Sequence, residues 1–69
     1  MAAKKIAEAI HVFRLNTLIY PENAAVFDSL GEAWESIGNK SAAIIAYQRV
    51  LNLKSGDANA KNRIAELRR

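Results

Sequence analysis

Apolar residues recur along this chain at intervals of three and four, the spacing of helices with one buried side. From about Ala3 to Tyr20, the positions Ile6, Ala9, Ile10, Phe13, Thr17 and Tyr20 mark one face of a first helix. A second set, Val12, Leu15 and Ile19, lies about 120° around the axis from the first, so this helix is apolar on two sides and should be packed on two sides. Pro21 stops it, and Asn23 is placed to cap the next helix by accepting a hydrogen bond from an amide of its first turn. So short a connection makes the neighbouring helices antiparallel.

The second helix, about Ala24 to Ile37, gathers Val26, Phe27, Leu30, Ala33, Trp34 and Ile37 on one broad face, with Asp28, Glu32 and Glu35 along the other. Gly31 borders the apolar face, where a missing side chain would let a neighbouring backbone come close and offset the lost helix propensity. Gly38 follows as an expected left-handed cap. The third helix, from Lys40 or Ser41 to about Lys54, turns Ala43, Ile44, Tyr47, Val50 and Leu51 inward and Gln48, Arg49 and Asn52 outward. Ser55-Gly56-Asp57 ends it and caps a fourth helix, about Ala58 to Arg68, which is apolar only at Ile64 and Leu67. Its other positions include Lys61, Asn62, Arg63, Arg68 and Arg69, as suits a terminating helix.

Composition narrows the picture. Sixty-nine residues hold one domain at most, and 51% hydrophobic residues with three Gly and one Pro describe a helical globular unit. With no Cys, disulfides, thiolate metal sites and a Cys nucleophile are impossible, and the compartment is not fixed. No apolar run approaches the roughly 18 residues of a membrane span, and Glu8, His11 and Arg14 interrupt any signal-type block. No membrane association is therefore expected. The net charge of +3 is divided between Lys4, Lys5 and Arg14 at one end and Lys61, Arg63, Arg68 and Arg69 at the other. A nucleic-acid groove would concentrate those cations and interleave aromatic or amide groups, so no nucleic acid is expected as partner.

Catalytic chemistry finds little to work with. His11 is the single histidine, with Glu8 one helical turn away and no nucleophile nearby, and without Cys it cannot build a zinc site. Paired carboxylates at Asp28, Glu32 and Glu35 would stand on an exposed helix face, with no pocket to raise a pKa. Gly31 and Gly38 belong to no phosphate-binding pattern, and Asn39-Lys40-Ser41 reads as a turn rather than a glycosylation site. The chain is expected to be no enzyme and to carry no metal or cofactor.

A shift of 34 residues aligns Ala9 with Ala43, Ile10 with Ile44, Ala24 with Ala58 and Glu32 with Glu66 as identities. It also pairs Phe13 with Tyr47, Ile19 with Leu53, Leu30 with Ile64, Gly31 with Ala65 and Asn23 with Asp57. Phe27, Leu30, Gly31 and Trp34, followed by Gly38, Ala43, Tyr47 and Leu51, resemble the tetratricopeptide repeat signature, and the resemblance covers essentially the whole chain. It departs from that family at Ser55, where a proline is usual, at Asn16, and at Val50. The run from Tyr20 to Ala33 is also similar to repeats at the C-terminal end of some bacterial hydrolases.

The resemblance implies an all-α, antiparallel helix-turn-helix repeat forming a single module of about one and a half repeats plus a capping helix. Residues 3–20 would be the second helix of a preceding half repeat, 24–57 a full repeat and 58–69 the cap. It implies a protein-protein interaction role, with a peptide or protein bound on the concave side at Asp28, Glu32, Glu35, Asn59, Asn62, Arg63 and Glu66. The carboxylates there disfavour a clamp for a C-terminal carboxylate and suit a basic or mixed-charge partner. In the same arrangement Val12, Leu15 and Ile19 call for a preceding helix to cover them: either the chain is cut from a longer protein that supplies one, or copies associate through this surface, and the expectation for the isolated chain is self-association, a dimer first. The alternative is a structural C-terminal appendage that docks on, or dimerises, a catalytic domain.

Overall fold

The computed structural model describes residues 2–69, and the side chains of all these except Ala2, Ala3, Lys4, Ile6 and Ala7. Ile6 and Lys4, each assigned a role above, lie outside the described side chains. Four helices follow one another: α1 (Ala2–Ile19), α2 (Ala24–Ser36), α3 (Lys40–Leu53) and α4 (Ala58–Leu67). The fold is all-α, a succession of antiparallel hairpins in which each helix packs on the next. Connections at 20–23, 37–39 and 54–57 are too short for any other course. The result is a slab, with Cα extents of 35 × 31 × 14 Å.

Each boundary has a local cause. The Asn23 side chain accepts from the Ala25 amide at 3.0 Å, Asn39 from Ala42 at 3.1 Å and Asp57 from Ala60 at 2.9 Å, so all three internal helix starts have a side-chain cap. At the end of α2, Gly38 adopts φ 78°, its amide bonds to the Glu35 carbonyl at 2.9 Å, and the Asn39 amide reaches back to the Trp34 carbonyl at 3.0 Å. That pair of bonds is the Schellman closure, and it needs the left-handed residue that glycine supplies.

The core has two parts sharing Trp34 at their border. Phe27, Ala43, Tyr47, Val50, Ala60 and Ile64 join α2, α3 and α4, while Ile10, Leu30, Ala33 and Ala46 join α1, α2 and α3. Tyr47 is fully enclosed, and its ring lies against Gly31, where an added Cβ would come within 2.8 Å of the ring. The close approach at Gly31 is therefore made by an aromatic side chain, not by the backbone expected from the sequence. The reason is size: an aromatic at that point of α3 fills the hairpin only if the facing helix has no side chain there.

Two expected inward positions turn outward, and a third is only partly covered. Tyr20 lies beyond the end of α1, which stops at Ile19, and is 55% exposed because the turn before Asn23 carries it off the helical face. Ile37 has left α2 to become its C-cap and is 41% exposed. Val26 is only half-buried.

The turns repeat in detail. The Tyr20 amide bonds to the Asn16 carbonyl at 2.8 Å and the Asn23 amide to that of Tyr20 at 3.1 Å. Later in the chain the Lys54 amide bonds to Val50 at 2.7 Å and the Asp57 amide to Lys54 at 3.0 Å, each residue displaced by 34 (54 less 20, 57 less 23). Ser55 thus supports the same turn as Pro21: the proline's missing amide is not used in either copy.

Candidate interaction surfaces

Two faces and one groove concentrate the exposed chemistry. The first face is the outer side of α1. Val12 is 53% exposed, Leu15 46%, Leu18 77% and Ile19 64%, in a chain whose enclosed side chains fall below a tenth. The inner side of the same helix is used: Ile10 is buried against Leu30, Ala33 and Ala46, with Phe13 packed beside them. Comparison with α3 gives the physical meaning. Ala46 stands 34 residues after Val12 (46 less 12) and is enclosed by α1 and α2, whereas Val12 meets no such neighbour among the described residues. Leu18, the most exposed of the four, was not singled out by the sequence; its place three residues after Leu15 is the signal that could have found it.

The second face is formed by α2 and α4. Here the Asn59 amide group donates to the Asp28 carboxylate at 3.1 Å, and Arg63 stands 3.6 Å from Glu35. Glu35 also accepts a short hydrogen bond from the Tyr47 hydroxyl. Of the residues assigned to a concave groove, these four meet in two intramolecular pairs that tie α2 to α4. Glu32, Asn62 and Glu66 are exposed, and their side chains form no hydrogen bond or ion pair among the described residues. Burial, with the neighbouring Glu35 carboxylate adding to it, raises the Tyr47 pKa far above that of a free tyrosine. The phenol therefore stays protonated and donating. Glu35 thus serves the interior of the module as much as its surface, which its place among outward-facing acids had concealed.

Between α1 and α3 runs an open groove of about 560 Å³, floored by Phe27, Leu30 and Trp34 and edged by Arg14, Ile45, Gln48 and Arg49. The Arg49 guanidinium covers the Phe27 ring at 5.5 Å from its centre, so part of the floor is occupied by the chain's own cation. Ile45 stands 67% exposed on the rim.

His11 is exposed on α1, and among the described residues no group of three His, Asp or Glu side chains is placed to hold a metal ion. No helix of the described residues is long and apolar enough to cross a membrane. No model of a known protein family matches the chain, and no curated protein sequence matches it.

Proposed function

We propose that this chain is a non-catalytic interaction module, a helical repeat similar to the tetratricopeptide type, whose work is to hold a protein against the outer face of α1. The observation that carries the proposal is the row of four large aliphatic side chains there, each between 46% and 77% exposed. Full burial of such a side chain is worth about 1.5–3 kcal/mol and each of these forgoes roughly half of that or more, and a contiguous patch of this kind marks a contact surface rather than chance exposure. The repeat itself is supported by the recurrence at 34 residues of the caps, the turn bonds and the starts of α2 and α4, Ala24 and Ala58 (58 less 24).

The α2–α4 face is the weaker candidate. A partner seated there would compete with the Asp28–Asn59 and Glu35–Arg63 pairs already in place. A photo-crosslinking amino acid at Leu18, with a control at Lys61 on the polar side of α4, tests the reading in the cell of origin. Protein adducts from position 18 and none from position 61 are expected; equal labelling from both, or none from either, rejects α1 as the contact surface.

A further inference from the structure

The outer side of α1 is more than a greasy patch. Lys5, Glu8, Val12, Leu15 and Ile19 are all exposed and follow one another at steps of three, four, three and four, the alternation of a coiled-coil seam. Glu22 lies in the turn just beyond the end of α1, outside the helical series, and is also exposed. The seam therefore has an apolar centre with a cation at its start and an anion after its end.

The opposite end of the molecule offers no match. The exposed positions of α4 are Ala58, Asn59, Lys61, Asn62, Ala65 and Glu66, with Arg68 exposed at its C-cap, and of its larger apolar side chains Ile64 is buried and Leu67 half-buried. Stacking α4 of one copy on α1 of the next would place cations and amides on Val12 and Leu15. An open head-to-tail chain is disfavoured, and a two-fold contact that presents the same surface from both sides is favoured.

Resting on α1 as the contact surface, we infer that its occupant is a second copy of this chain, with the two α1 helices packed antiparallel about a two-fold axis between Val12 and Leu15. In that register Val12 meets the partner's Leu15, Ile19 lies over the methylenes of the partner's Glu8, and Lys5 comes near the end of the partner's α1, where the turn that carries Glu22 begins. The residue numbers of each facing helical pair have the same sum (12 and 15, 8 and 19), as a two-fold axis requires. A parallel pairing would set Lys5 against Lys5 and Glu8 against Glu8, so charge selects the antiparallel one. Leu18 flanks the seam and widens the apolar strip. Four side chains contributing roughly 100 Å² each give about 400 Å² per protomer, half of the ~800 Å² per partner in a standard interface. The dimer is therefore a weak one that forms and separates with concentration.

The absence of native cysteine makes the test direct. Two full-length variants, Glu8→Cys and Ile19→Cys, one carrying a size tag, are mixed in a glutathione redox buffer and the disulfide-linked species counted. Antiparallel packing predicts the mixed 8–19 species in at least tenfold excess over 8–8 and 19–19, whose partners would lie 11 residues, about 16 Å, apart along the axis. In parallel, light scattering of the unmodified chain should show its mass rising toward twice the monomer with concentration, and Leu15→Glu should hold it at one. Same-residue dimers in excess overturn the antiparallel arrangement. A constant monomer mass overturns self-pairing altogether. If crosslinks from Leu18 then capture a different protein, the contact-surface reading stands while this inference falls; if they capture nothing, both fall.

Discussion

A methyl group at Gly31 would sit 2.8–3.0 Å from three atoms of the Tyr47 ring, and the ring, enclosed on every side, has nowhere to move. Alanine regains up to ~1 kcal/mol of helix propensity, whereas overpacking a rigid site costs about 1–3 kcal/mol. Gly31→Ala should therefore lower stability by up to about 2 kcal/mol in a denaturant titration, in place of the usual glycine-to-alanine gain in a helix. The same ring carries a hydroxyl donated to Glu35 and a pKa raised above that of the unfolded chain. Above about pH 10 the unfolded chain loses this proton while the folded one keeps it, so stability falls as pH rises. Tyr47→Phe should flatten that alkaline fall, read from melting temperatures between pH 9 and 11. It should also cost about 1 kcal/mol at neutral pH through the lost hydrogen bond. Glu35→Gln should destabilise the fold by a similar amount, whereas Glu32→Gln, on an exposed carboxylate, should stay within about 0.5 kcal/mol of the parent. Glu32, not Glu35, is thus the clean probe of any partner on the α2–α4 face.

At the scale of helices and turns, two glycines in similar connections should respond with opposite signs. Gly38 has φ 78°, where an L side chain costs about 1–2 kcal/mol, while Gly56 has no positive φ and nothing within 4 Å of its Cβ position. Gly38→Ala should lower the unfolding midpoint, and Gly56→Ala should raise stability by about 0.4–1 kcal/mol through the entropy of the unfolded chain. The existence of all four helices, the caps at Asn23 and Asp57 and the reversal at Gly38 were legible in the sequence, because apolar spacing and capping chemistry are local. What lay beyond it was tertiary. No periodicity states that Tyr47 rather than backbone lies on Gly31, nor that Glu35 turns back to hold the Tyr47 hydroxyl. Nor could it place Tyr20 and Ile37 outside their helices, since a helical wheel assumes the helix continues. The candidate contact surface was half legible: Val12, Leu15 and Ile19 stood out as a second stripe, but the greater exposure of Leu18 depends on how α1 is rotated against α2.

The molecule as a whole is thin. Its 14 Å Cα depth leaves 4719 Å² of accessible surface, above the ~4300 Å² of a compact monomer of its mass. The excess is consistent with the uncovered side of α1, the one helix apolar on two sides. If a second copy covers that side, the dimer is folded and the unfolded chain is monomeric, so association and folding are linked by mass action. Raising the protein concentration a hundredfold should then raise the melting temperature by several degrees, up to about 5–11 °C, since mass action supplies at most about 1.4 kcal/mol per protomer over that range and each kcal/mol is worth roughly 4–8 °C in a domain of this size. Leu15→Glu should abolish that dependence. Because Leu15 is nearly half exposed in the lone protomer, its dilute melting temperature should stay close to the parent's. Calorimetry at several concentrations separates the outcomes: a flat parent curve would mean that α1 faces no copy of itself, and a variant melting far lower even when dilute would mean that Leu15 supports the protomer's own core.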